Sequence, residues 1–332
     1  LCLYEAGMAL NDWADREVDA VERPHRPIPS GRVSPSAALA AAGVLTGAGL
    51  ALAGRAGRPA LVVATVLSGA VWSYDLHFKH TRGGPAVMAA ARGLDVVLGA
   101  VATGGTRGTS REQARAPGVR FGGPAAGART DAGVRAALPS AAVLAAHTYA
   151  VTAVSRREAQ GGSTAVPLAA LAATIGLGAL ASRAPRGAGI RGVAQVSDPA
   201  PRSVRAGRRG LPVTPFTSRG SGGLPPASGR GGIGETPTQS PRPPAPAFAL
   251  TPARLATTAL AVAYIRTAAK PLLHAALNPS PPLTQRAVGG GIRAMIPLQA
   301  TLAARTGAGA TAAAVMGLVP IARKLARKVS PT

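Results

Sequence analysis

The sequence predicts an all-α, multi-pass transmembrane helix bundle, on three observations. Seven segments, 34–54, 59–76, 86–104, 137–154, 165–181, 249–269 and 294–319, are nearly free of charge. Their lengths suit a bilayer core, which an α-helix crosses in about 20 residues. They are also rich in Ala, Gly, Leu and Val, and small residues let membrane helices approach closely. A soluble Ala-rich helical protein of 332 residues is the alternative. So many charge-poor segments of spanning length count against it.

Taken in order, the chain opens with LCLYEAGMAL, apolar but too short to span. Then comes Asn11 to Arg32, NDWADREVDAVERPHRPIPSGR, with five of the chain's thirteen acids. Asp12, Asp15 and Asp19 sit at i, i+3 and i+7, which places them within roughly 60° of arc on one helical face. Three carboxylates there repel one another unless something positive sits between them. Glu17 points to the opposite side. Arg23, Arg26 and Arg32 follow, spaced by Pro24, Pro27 and Pro29. Carboxylates suited to a hard divalent cation, beside guanidiniums suited to phosphate oxygens, indicate a metal-diphosphate site. An acidic, solvent-exposed helix turn is the plainer explanation of the same acids.

The pattern N-D-x-x-D-x-x-x-D followed by R-P-x-R-P-I-P-S-G resembles the first aspartate-rich motif of the UbiA family of intramembrane prenyltransferases. More narrowly, the chain resembles the EboC-like branch, through residues 147–158 (HTYAVTAVSRRE) and 278–300 (NPSPPLTQRAVGGGIRAMIPLQA). The resemblance implies a UbiA-type bundle that transfers a prenyl group from an isoprenyl diphosphate to a small acceptor, with Mg2+ as cofactor. It implies Asp12, Asp15 and Asp19 as metal ligands, Asn11 in support, and Arg23 and Arg26 on the diphosphate. A first helix and the start of a second precede this motif in the family. The chain is therefore expected to be N-terminally truncated, with residues 1–12 the tail of that second helix.

Residues 74–82 read YDLHFKHTR. Tyr74 and Lys79 match family positions near the diphosphate, where a lysine acts as a point charge on phosphate oxygens. An interface anchor of Trp72, Tyr74 and a snorkelling Lys79 explains them equally. Arg92 and Asp95 lie inside a span, three residues apart, where ionisable groups are costly. Family members often carry Asn at the position of Asp95, so it serves either as a polar contact to substrate or as a structural partner of Arg92.

The second acidic motif of the family corresponds to Tyr149–Ser163. Only Glu158 remains as a carboxylate, and Ser155 stands where an acid is expected. Either Glu158 holds a second metal, or Arg156 and Arg157 grip the diphosphate directly, or the stretch is a basic turn between helices. His147 reads as a packed helix histidine rather than a base. In 278–293, three glycines with Arg286 and Arg293 suit either an anion cradle or a tight interhelical loop.

The net charge is +24, from 33 Arg and 4 Lys against thirteen acids. Two stretches, 105–135 and 183–248, are rich in Gly, Pro, Arg and Ser, lack apolar periodicity and read as disordered insertions. Few aromatics punctuate them, so nucleic acid is not expected as a partner. The expected organisation is 1–104, the N-terminal bundle with the first motif; 105–135, insertion; 136–182, helices with the altered second motif; 183–248, insertion; 249–320, C-terminal helices; and 321–332, a basic tail. Alternate threading puts Asp12–Arg32, 77–85, 155–164 and 270–293 on one side. Their Arg and Lys residues make that side cytoplasmic at the plasma membrane. The basic insertions and tail fall on the other side and count against this orientation. The single Cys2 excludes an internal disulfide. A non-catalytic membrane component that binds or transports an isoprenoid-linked metabolite is the second reading, and the altered second motif is its support.

Overall fold

A computed structural model describes residues 1–112, 124–158, 161–183 and 251–329. The described residues contain no strand and form ten α-helices. These are α1 (Cys2–Ala14), α2 (Arg16–Glu22), α3 (Pro35–Ala56), α4 (Arg58–Leu76), α5 (Gly84–Glu112), α6 (Pro124–Ser155), α7 (Ala165–Ser182), α8 (Pro252–Leu277), α9 (Pro281–Arg305) and α10 (Gly309–Val329). Among the described residues, five stretches are long and apolar enough to cross a membrane: Pro35–Ala56, Arg58–Leu76, Gly84–Thr103, Asp131–Ser155 and Ala165–Ser182. The protein is a multi-pass helical membrane bundle.

Local chemistry sets the helix ends. Ser34 accepts from the Ala37 amide at 3.2 Å, ahead of Pro35. Thr251 does the same for Arg254 at 3.3 Å, ahead of Pro252. A hydroxyl N-cap followed by proline satisfies an orphan amide and pre-sets the first helical φ. Inside the helices, hydroxyls bond their own backbone four residues back, as Ser68 does to Ala64 and Thr174 to Ala170, both at 2.8 Å. These hydroxyls are thus satisfied within their own helices.

The larger buried side chains gather between α6, α7, α8 and α9, around Leu144, Val154, Tyr264, Leu272 and Leu298. His147 sits fully buried there. Its Nε2 donates to the Gly291 carbonyl at 3.0 Å, and its Nδ1 accepts from the Tyr264 hydroxyl at 3.0 Å. It ties α6 to α8 and α9 as a packed histidine. Gly291 and Gly290 lie within α9 rather than in a loop. A Cβ on Gly291 would come within 2.5 Å of Val151, and one on Gly290 within 2.9 Å of Pro271. The glycine run is therefore a close-packing surface for α6 and α8, not an anion cradle. The loop between α8 and α9 is only residues 278–280.

One other expectation changes. The segment 294–319 is not one span: α9 ends at Arg305, and Gly307, at φ +85°, turns the chain before α10. A helix rarely passes through that φ. At the edges of the stretch 105–135, α5 is assigned as far as Glu112 and α6 from Pro124. The segment 321–332 continues α10 as far as Val329. The remainder of the first insertion, 113–123, and nearly all of the second, 184–248, lie outside the described residues.

Candidate functional site

The Asp/Arg motif folds as two helices, not one. α1 ends at Ala14 and α2 begins at Arg16, with Asp15 between them at φ −87° and ψ 1°. The irregularity is slight, because Asp15 and Asp19 still make helical backbone bonds to Asn11 and Asp15 at 2.9 and 2.8 Å. The chain then folds back through the proline-spaced arginines, and Arg26 returns to the acids. Its Nη1 lies 2.8 Å from Asp12 Oδ1 and 3.1 Å from Asp19 Oδ2. Arg23 adds a longer contact to Asp19, at 3.5 Å. Asp19 is only 2% exposed. Asp15 takes a different cation, the Nζ of Lys79. Like charges on one helical side are thus separated by protein cations, which is how the cluster is tolerated.

Lys79 comes from a single 3-10 turn, Phe78–His80, between α4 and α5. Two further contacts bring other loops to the same end. Arg156 donates from Nη1 to the Thr81 carbonyl. Gly162 donates to the Pro279 carbonyl at 2.8 Å. The loop residues 12–32, 77–83, 156–158, 161–164 and 278–280 therefore meet at one end of the bundle, as alternate threading of the helices requires. Glu158 sits in this assembly without an ion pair among the described residues. Burial pushes its carboxyl above the ordinary glutamate range, and the positive charge of Arg23 partly opposes this.

Beneath the motif, a cavity of about 300 Å³ lies between α1, α4 and α5. One polar group on its wall is formed by Asn11, Asp12 and Arg26, joined by Tyr74 and Asp75. Leu3, Met8, Leu67, Val71 and Met88 make apolar walls. Arg92 and Asp95 form a second polar group, paired at 3.1 Å. The structure thus gathers Asn11, Asp12, Arg26, Tyr74 and Asp95 around one space. Asp15, Asp19, Arg23, Lys79, Arg156, Arg157 and Glu158 do not line it. Lys79, Asp15, Asp19 and Arg23 meet in the ion pairs beside it.

Asp75 is a site residue that the sequence reading passed over. Asn11 donates to it at 3.0 Å across 64 residues of chain. Its signal was its place next to Tyr74, one residue before the end of α4. Among the described residues, no group of three His, Cys, Asp or Glu side chains is close enough to hold a metal ion. The donor chemistry still suits magnesium. Asp12 and Asp15 supply hard carboxylate oxygens, and Asp12 is partly exposed at the cavity.

Digeranylgeranylglyceryl phosphate synthase from Methanothrix thermoacetophila is 44% identical over 79 residues, 24% of this chain and 30% of that protein. The synthase of the same name from Natronomonas pharaonis is 37% identical over 101 residues, 30% of this chain and 36% of the relative. Chloroplastic chlorophyll synthase from Arabidopsis thaliana is 43% identical over 53 residues, 16% of this chain and 14% of the relative. The chain spans about a third of the length of the synthases it matches. No solved structure matches it. The model of the UbiA prenyltransferase family matches residues 1–155, the stretch that holds the Asp/Arg motif, the Tyr74–Lys79 turn and every residue lining the cavity.

Proposed function

We propose that this protein transfers a prenyl group from an isoprenyl diphosphate to a small acceptor within the membrane. The observation that carries this reading is the cavity itself. It is apolar along most of its wall, and the motif residues Asn11, Asp12 and Arg26 stand together on its polar side. The diphosphate binds at the loop end, where Arg23, Arg26, Lys79, Arg156 and Arg157 supply positive charge. The bond from the allylic carbon to the diphosphate oxygen breaks, and its electron pair leaves with the diphosphate. The acceptor's nucleophilic atom forms the new bond to that carbon and gives up its proton to the released diphosphate. Leu67, Val71 and Met88 keep water from the cationic carbon. Arginine and lysine aimed at the leaving oxygens act where charge develops, which is how such groups accelerate a reaction.

Magnesium is the metal proposed, with Asp12, Asp15 and Asp19 as ligands; when bound it would neutralise charge on the leaving diphosphate. In this arrangement Arg26 and Lys79 already neutralise those carboxylates. For these carboxylates to hold a metal, Arg26 and Lys79 would have to shift from them onto the oxygens of the bound diphosphate. Asn11, Tyr74 and Asp95 are proposed as substrate contacts, and Glu158 as the residual acid of the second motif. The names of the relatives favour a prenylated lipid as product. Residues 147–158 and 278–300 favour the EboC-like branch. The loop end is proposed to face the cytoplasm at the plasma membrane.

The test is incubation of the purified protein with labelled isoprenyl diphosphate, magnesium and candidate acceptors. Prenylated product that needs both magnesium and Asp12 is the expected result. Tight binding of the diphosphate without product from any acceptor favours the second reading, a non-catalytic binder of isoprenoids. The single acid of the 155–164 loop, Glu158, is the observation behind that alternative.

A further inference from the structure

The hairpin of α8 and α9 carries positive charge that the cavity and the motif loops do not use. These helices, of 26 and 25 residues, are each about 38 Å long. Lys270 and His274 on α8, and Arg286 and Arg293 on α9, are all exposed. No Asp or Glu occurs between residues 236 and 332. Among the described residues, Lys270, Arg286 and Arg293 have no ion pair. Cations on membrane helices are costly unless a partner answers their charge.

Packing places the four on one surface. The loop 278–280 is so short that α8 and α9 run antiparallel. Gly290 meets Pro271 and the Thr267 carbonyl of α8, and Gly291 meets Val151 of α6. Gly178 of α7 packs against Tyr264 and Ile265 of α8. At about 100° per residue, these contacts leave the four cations on the side of the hairpin turned away from α6 and α7. The register at Gly290 sets Arg286 level with His274. Arg293 bends along its own helix, since a Cβ on Gly289 would come 3.3 Å from its Nη1. Its guanidinium therefore lies over Gly289, one turn nearer Arg286 and level with Lys270. The glycines hold no anion themselves, but the missing side chain at Gly289 brings the two arginines together. Farther from the loop end α8 exposes Leu255 and Val262. Cations near the loop end with apolar residues beyond them match the order of headgroup and acyl chain in a phospholipid. Arginine reaches two phosphate oxygens at once, and basic recesses between membrane helices hold anionic headgroups. We propose that the outer face of the α8–α9 hairpin binds the phosphate of an anionic phospholipid of the surrounding bilayer, between Arg286, Arg293, Lys270 and His274. The cavity between α1, α4 and α5 is lined by other helices, so this site does not depend on prenyl transfer.

The test uses the full chain in an uncharged detergent. Phosphatidylglycerol and phosphatidylcholine with identical acyl chains are titrated in turn. Affinity is read from the rise in unfolding midpoint, against each variant's own lipid-free midpoint. The parent should bind phosphatidylglycerol about tenfold tighter, as a charge-assisted contact allows. Arg286→Gln with Arg293→Gln should remove that preference. Gly289→Leu keeps every charge but displaces the Arg293 guanidinium, and should cut the preference to about threefold. Arg55→Gln with Arg58→Gln removes two exposed cations at the α3–α4 turn, the opposite end of the bundle, and should leave the preference whole. The proposal falls if the parent shows no preference, or if Arg286→Gln with Arg293→Gln or Gly289→Leu leaves it whole. It falls if the Arg55 and Arg58 changes remove as much, because the lipid would then answer only net charge. It falls too if inorganic phosphate or polyglutamate displaces the phosphatidylglycerol, which would make the ligand a free anion or an acidic protein segment.

Discussion

The buried carboxylate of Asp19 accepts from Arg26 Nη1 at 3.1 Å, and the same nitrogen lies 2.8 Å from Asp12. One guanidinium therefore closes the chain reversal that follows α2 and keeps two acids of the motif compatible. Arg26→Ala leaves Asp19 with only the longer contact to Arg23 at 3.5 Å. A buried charge that loses one of its charge-assisted partners costs about 1–3 kcal/mol. Arg26→Ala should lower the unfolding midpoint in detergent, and Arg26→Lys should recover part of the loss. If Asp19→Asn combined with Arg26→Ala is no more stable than Arg26→Ala alone, the penalty does not come from an uncompensated Asp19.

Asp15 and Lys79 make a second pairing, between the helix break and the 3-10 turn. Asp15→Asn should abolish magnesium-dependent binding of an isoprenyl diphosphate. Glu17→Gln should matter little, because Glu17 is exposed and bonded only to its neighbour Arg16. The measurement is diphosphate affinity across a magnesium titration. Equal losses at both positions would mean that the acids act through folding, and the metal assignment would be wrong.

Much of this site is legible in the sequence because the motif is local. Asp12, Asp15, Asp19 and Arg26 lie within one short stretch, and their spacing alone puts acids on one face. The membrane helices are legible for the same reason, as charge-poor runs. What is not legible depends on how the helices dock. Asp75 is one acid in YDLHFKH until α1 packs on α4 and sets Asn11 against it. The glycines 289–291 suit an anion cradle or a tight loop until α9 runs through them and Val151 fills the space beside Gly291. The break at Gly307 is a single left-handed residue in an Ala-rich run, so hydropathy passes over it.

The loop that carries Glu158 depends on Gly161. This residue has φ +62°, and a Cβ there would lie 2.5 Å from the Pro279 carbonyl and 3.2 Å from Pro281. Both the backbone conformation and the close approach exclude a side chain. Gly161→Ala should cost about 1–3 kcal/mol, read as a lower unfolding midpoint. Gly162→Ala keeps the positive φ problem but meets no neighbour within 4 Å, so it should cost less. Equal effects would show that contact with the 278–280 turn contributes nothing.

Glu158 supplies the pH test. Burial raises its carboxyl above 4.5, the ordinary glutamate value, and Arg23 only partly opposes that shift. The folded chain therefore binds more protons than the unfolded chain between the ordinary and the raised values. Its contribution to stability is complete below about 4.5 and is lost as pH rises through the raised value. Glu158→Gln carries no such charge. Parent and variant should unfold alike near pH 4, and the variant should become the more stable of the two toward pH 7. Arg23→Ala should enlarge the gap, since it removes the one opposing charge. A gap that does not change with pH would mean that burial does not act on Glu158. The same variant then separates the two roles offered for this loop. If Glu158 holds a second metal, Glu158→Gln weakens magnesium-dependent diphosphate binding as much as loss of Asp15 does. If the arginines have taken over, it is mild, and Arg156→Ala with Arg157→Ala is severe. The second outcome is expected, because one carboxylate is a poor cage for magnesium and two guanidiniums grip a diphosphate without a metal. Arg156 also holds the Thr81 carbonyl, so its loss frees the turn that carries Lys79. Arg156→Ala alone should therefore weaken diphosphate binding more than Arg157→Ala alone. The reverse order would put the diphosphate on Arg157 and leave Arg156 as a strut between two loops.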